Sequence, residues 1–276
     1  MKNNADPNIV DKRLRSPLHF ASLKGNIDIV RALIQAKANV NAQDWDQIAP
    51  LHYCAKLGFL DGAIALLDAG AEIDIQTRTK ETPLIIALMN NQYEMVQFFL
   101  QSQADVEKPA HQHRTPLFFV GDADTAELLL DAGAKINETD EEGFTPLHVA
   151  CSDGLLDVVE LLIERGANLK AVDHNKQTPL HMAAQSGQAE VCDYLLQHGA
   201  DLKVLDIARR SPEMLARRNE HYNVLEVISK YHDSAEDEDA PLLVFRPFAG
   251  VFHSATPQDE TNQSGLKAED FKFDNL

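Results

Sequence analysis

Eleven histidines and three cysteines are the side chains of this 276-residue sequence best equipped for nucleophilic, acid–base or metal chemistry, and their placement argues against all three. His111-Gln112-His113 offers two imidazoles, but no third Cys, His or acid stands in the same short segment, and a metal site needs three or four donors. His19, His52, His148 and His181 each hold the fourth place of a recurring Ser/Ala/Thr-Pro-Leu-His tetrapeptide, so a structural repeat accounts for them better than a catalytic partner does. Cys54, Cys151 and Cys192 are odd in number and far apart, which fits reduced, packed thiols rather than a disulfide framework or a zinc site. Phosphate-loop, dinucleotide, zinc-protease and serine-elbow motifs are absent from the sequence. The reading is a non-enzymatic chain with no catalytic residue, no cofactor and no metal.

The elements that carry these residues are set by prolines. Pro17, Pro50, Pro83, Pro116, Pro146, Pro179 and Pro212 are separated by 33 residues throughout, except for one interval of 30. Each follows Ser, Thr or Ala. A hydroxyl before proline caps orphan backbone N–H groups, and proline in the first helical position lacks a donor that would be unsatisfied there anyway, so each motif predicts a helix start. Gly25, Gly58, Gly154 and Gly187 stand where a residue of positive φ can end that helix. A second apolar-periodic segment follows, such as Leu155–Ile163, closing at Gly70, Gly133, Gly166 or Gly199. One unit is thus two antiparallel helices and a connecting hairpin.

These motifs resemble the ankyrin repeat, with its 33-residue unit and Thr-Pro-Leu-His signature. The resemblance covers residues 11–232 as seven units opening at Asp11, Asp44, Thr77, Ala110, Asp140, Asp173 and Asp206. It implies an all-α solenoid of helix-turn-helix units with short β-hairpin fingers, in which the motif histidines bond neighbouring backbone. It also implies protein binding on the concave finger surface, as scaffold, adaptor or inhibitor, and marks Asn41 and Asn137 at the hairpin position that asparaginyl hydroxylases modify in similar repeats. Residues 5–10 match the end of a unit whose helices are absent, giving 1–10 as a partial repeat and the expectation of a longer array.

The units are not identical. The third has Ile85 for the histidine, Asn91 for the middle glycine and Gln103 for the closing one. Gln103, like Lys37, is expected to cost about 1 kcal/mol if the left-handed geometry is kept. The fourth is three residues short before its second helix, predicting a local break in the stack.

Charge is expected to divide by face. The chain carries a net −18, whereas the four residues following each opening position total +5 over the seven units. Trp45 and Ile48 at the second tip, with Leu57 and Met89 on first helices, form the expected apolar centre, flanked by Arg13, Arg15, Arg78 and Arg114; Leu23 and Phe144 hold comparable places. A partner with an acidic segment and apolar anchors would fit. The alternative function, targeting an enzyme or chromatin factor to nucleic acid or acidic lipid through Arg13, Arg15, Arg78, Arg114, Arg209 and Arg210, conflicts with the overall acidity. The array is expected to act as a monomer.

Residues 233–276 hold ten acids against three bases and no repeat, predicting a largely disordered acidic tail. Its Pro241–Phe252 stretch is apolar enough to dock on the last unit or serve as a recognition segment. The 233–239 run is a candidate guard of the basic fingers, and Ser234 a candidate acidic-kinase site. No signal segment or span of 18 apolar residues is seen, so a cytoplasmic and also nuclear address is expected.

Overall fold

Each Pro-Leu motif but one opens an α-helix in the computed structural model, which describes residues 5–232. The first helices of the units are α1 (Pro17–Leu23), α3 (Pro50–Leu57), α5 (Pro83–Met89), α8 (Pro146–Asp153), α10 (Pro179–Ser186) and α12 (Pro212–Arg218). The second helices are α2 (Ile27–Gln35), α4 (Leu60–Asp68), α6 (Tyr93–Gln101), α7 (Ala123–Asp131), α9 (Leu156–Glu164), α11 (Ala189–Gln197) and α13 (Tyr222–His232). None is long and apolar enough to cross a membrane.

A two-turn helix is marginal alone, and stacking supplies the missing stability. Leu18, Leu51, Leu84, Leu117, Leu147 and Leu180, one in each of the first six units, are at most 1% exposed. Each such burial contributes roughly 1.5–3 kcal/mol. They belong to one continuous hydrophobic interior running from Leu18 to Ile228.

The shortened fourth unit loses its first α-helix: Pro116–Phe119 form a 3₁₀ turn, and Asp122 caps α7 three residues early by accepting from Thr125 N at 2.8 Å. The expected break is limited, because Leu117 and Val120 still fill the interior where a helix would have stood. The left-handed geometry persists at Lys37 (φ 69°) and Gln103 (φ 63°) without glycine.

The fingers are present as turns; among the described residues none is assigned as strand. With only a few residues per arm, there is room for one closing bond rather than a ladder. The Asp44 carboxylate builds its turn by accepting from Asp46 N and Ile48 N, both at 2.9 Å, and Asp44 N donates to Ile48 O at 3.0 Å. Asp140 does the same for the fifth finger. Each finger also donates to the one before it: Trp45 N to Arg13 O, Arg78 N to Asp46 O, and on through Ile207 N to Asn175 O.

Candidate functional site

The motif histidines are structural staples in four units. Nδ1 of His148 accepts from Thr145 N at 3.1 Å, which leaves the ring proton on Nε2, and Nε2 donates to Gln177 O of the next finger at 3.1 Å. His19, His52 and His181 repeat this, reaching Ile48 O, Glu81 O and Arg210 O. Burial disfavours the charged ring, so all four imidazoles titrate below the ordinary histidine value, His52 at about 4. The three thiols are buried, and desolvation pushes Cys54 and Cys192 up to about 12 and Cys151 well above its ordinary value. Among the described residues no group of three His, Cys, Asp or Glu is arranged to hold a metal.

What remains for function is the surface formed by the fingers and first helices. A groove of about 290 Å³ lies between the second and third units, lined by Ile48, Tyr53, Lys56, Arg78 and Ile86 among others. Trp45 stands on the same finger as Ile48 and is 59% exposed. Its carbonyl accepts from Arg78, which also pairs with Asp46 at 3.2 Å, so the rim of the groove is braced across two fingers. Tyr53 donates its hydroxyl to Asp44 at 3.4 Å, and burial followed by the Asp44 charge raises its pKa to about 12, keeping it a neutral donor.

The ten residues selected from sequence do not line a single pocket. Ile48 and Arg78 share the groove just described. Leu57 and Met89 are exposed on the last residues of α3 and α5 and do not line it. Arg114 and Phe144 border a smaller pocket of about 220 Å³ with Val149 and Met182. Arg15 belongs to the first unit's outer face, where its guanidinium lies 4.7 Å from the Phe20 ring centroid. Leu23 is half-buried and Arg13 is exposed. Asn41 and Asn137 use their amide oxygens to accept from Glu72 N and Asn168 N of the following unit, at 2.9 and 2.8 Å. Ser234, the acidic run 233–239 and Pro241–Phe252 lie outside the described residues.

Two features escaped the sequence reading. Phe20, Tyr53, Ile86, Phe119, Val149 and Met182, each three residues after the motif proline, form a partly exposed apolar stripe along the inner helices, and members of it line three of the surface pockets. The signal was available as the one non-small apolar place repeated between motif histidine and core alanine. The second is the state of the arginines. Arg15 pairs with Asp11, Arg78 with Asp46, Arg114 with Asp140 and Arg210 with Asp206, at 2.7 to 3.2 Å. Arg15 holds the Asp11 carboxyl below its ordinary value by direct hydrogen bonds. Counting each opening residue with its finger adds five carboxylates and cancels the +5.

A family profile described as "Ankyrin repeats (3 copies)" matches residues 1–77, 66–140, 118–206 and 170–239. The human ASB11 ankyrin repeat domain superposes with a TM-score of 0.70 at 30% identity, covering 77% of this chain and 98% of that one. The Bcl-3 ankyrin repeat domain gives 0.64 at 26% identity with the same coverage. Human inversin is 29% identical over 165 residues, which are 56% of this chain and 16% of inversin, so the chain spans a minor part of that relative. With the family profile running through the whole array, the chain belongs to the ankyrin repeat family.

Proposed function

We propose that the chain is a non-catalytic recognition protein, acting as scaffold, adaptor or inhibitor, that holds a partner protein against the inner helices and fingers of its second and third units. Ankyrin repeats are in general protein-interaction modules, and the finer assignment rests chiefly on one observation: a tryptophan 59% exposed beside an apolar groove of about 290 Å³. Exposed tryptophan on a braced rim supplies a large contact area with little ordering cost on binding. Trp45 and Ile48 anchor the partner, Tyr53 and Ile86 form the floor, and Lys56 favours a carboxylate on it. Leu57 and Met89 extend the contact along the helices.

The targeting role through basic fingers has less support, because four of its six arginines are already paired with finger carboxylates. Phosphate binding needs free cations.

Affinity capture with the intact chain, with Trp45→Ala and with a Trp45→Ala/Leu57→Ala double variant tests the reading. Both variants are expected to melt within a few degrees of the parent and to lose their partner by tenfold or more. Capture that is unchanged, or lost only because the variant unfolds, overturns it.

A further inference from the structure

The joints between neighbouring units are held in two ways. Across the first, second, fifth and sixth, a motif histidine reaches the next finger. The third and fourth have Ile85 and Phe118 instead, and the fourth is crossed by a set of charged groups. On its finger side Arg114 pairs with Asp140, and His113 Nδ1 lies beside Glu141, both at 3.0 Å. Between the second helices Arg165 pairs with Glu127 at 2.7 Å and with Asp131 at 2.9 Å. The fourth finger needs such support because it is poorly braced within itself. Asp11, Asp44, Asp140, Asp173 and Asp206 each accept from two N–H groups of their own turn, whereas the fourth finger opens with Ala110. Gln112 (φ 59°) and His113 (φ 58°) are both left-handed there, where each other finger has a single residue of positive φ. That conformation is unfavourable for a residue with a Cβ. Asp140 has the converse need. Its side chain is fully buried, as is that of Asp206, but Asp206 meets Arg210 of its own finger while Asp140 meets Arg114 of the finger before.

The apolar interior runs through this joint by way of Leu117, Leu129 and Leu147, so its two sides stay in contact. Apolar burial is non-directional and does not fix the angle between them. The charge pairs do, because they act at the finger edge and at the second-helix edge of the same joint. We infer that the fourth joint is an ionic hinge: screening its exposed pairs lets a block of units one to four rock against a block of units five to seven about their shared apolar seam. Arg114 and Asp140, buried on the carboxylate side, form the pivot that stays closed, since a buried carboxylate parted from its cation is strongly disfavoured. The exposed contacts of Arg165 and His113 are the ones salt releases. The groove lined by Ile48 and Arg78 lies within the first block and keeps its shape. The pocket of about 220 Å³ bordered by Arg114 and Phe144 spans the joint and changes with the angle.

Distances between spin labels on the full-length chain, measured at low and high salt, test the proposal. Asp68→Cys with Gln197→Cys spans the hinge, and Gln35→Cys with Gln97→Cys lies within the first block; all four positions are exposed, whereas the native thiols are buried and stay unlabelled. The expected result is a distance distribution that shifts and broadens with salt for the first pair and stays fixed for the second. Hydrogen exchange of finger residues 140–145 should quicken about fivefold over the same change, and that of 173–178, tied by His148, by less than about twofold. Arg165→Glu should reproduce the salt effect at low salt, and adding Glu127→Lys and Asp131→Lys should reverse it by restoring opposite charges. A distance across the hinge that is indifferent to salt overturns the proposal, as does an equal response of the two label pairs or of the two fingers. An Arg165→Glu chain that folds and behaves as the parent overturns it too. The salt series on the labelled parent decides by itself if a charge variant fails to fold.

Discussion

Units with a motif histidine and units without one solve the same stacking problem with different materials. In the fifth unit Thr145, His148 and Gln177 form a closed set: hydroxyl and backbone N–H to Nδ1, then Nε2 to the next finger. The third and fourth put Ile85 and Phe118 in that place and rely on packing, with both side chains buried. The exchange leaves a trace, since Thr115 Oγ1 is buried with no hydrogen-bond partner among the described residues. A staple couples one unit's helix to the next unit's finger, whereas packing alone does not fix that finger's register. The lesson is that the repeat tolerates loss of its polar link when two neighbours on either side retain theirs.

Acid should expose this difference most strongly. A buried neutral imidazole contributes stability that is complete above the unfolded value near 6.5 and is lost as pH falls through that value towards the folded one, about 4 for His52. That window corresponds to about 3 kcal/mol for His52, with further losses from the other three. Urea titrations between pH 7 and 4 should therefore show falling stability, and hydrogen exchange should accelerate in α8 and α10 more than in α5 and α7. Equal acceleration in both groups would break the contrast.

Removing one staple is the next largest effect. His148→Ala should cost about 3 kcal/mol through a cavity and the loss of the ring as partner of Thr145 N, Thr145 Oγ1 and Gln177 O, and exchange protection should fall in the Gln177 finger as well as in α8. A loss confined to α8 would show that the link does not carry across units. The smallest effect compares two threonines. Thr115→Val should be neutral or stabilising by up to about 1 kcal/mol, whereas Thr145→Val should destabilise by about 1 kcal/mol, both read from chemical denaturation.

The sequence announced the array because its period is enforced locally: proline, a capping hydroxyl and a residue of positive φ each act within a few positions. Side-chain pairings across a turn were harder to read. Arg15 and Arg210 looked free when only finger tips were counted, since the carboxylates they meet, Asp11 and Asp206, are the residues that open each finger. Trp45 was legible as an exposed tip, but its groove was not, because Tyr53 and Ile86 lie a full repeat apart in sequence and meet only through stacking. The lost helix of the fourth unit was ambiguous for a related reason: a deletion of three residues can be absorbed by helix or by turn, and Asp122, able to cap α7 early, decided for the helix.

The backbone bonds passing from each finger to the one before it, from Trp45 N through Ile207 N, have a mechanical consequence. They tie seven separate loops into one strip, so a tug on any loop is shared with those beside it. A load applied across the strip should therefore be released in steps, one bond between loops after another, instead of all at once.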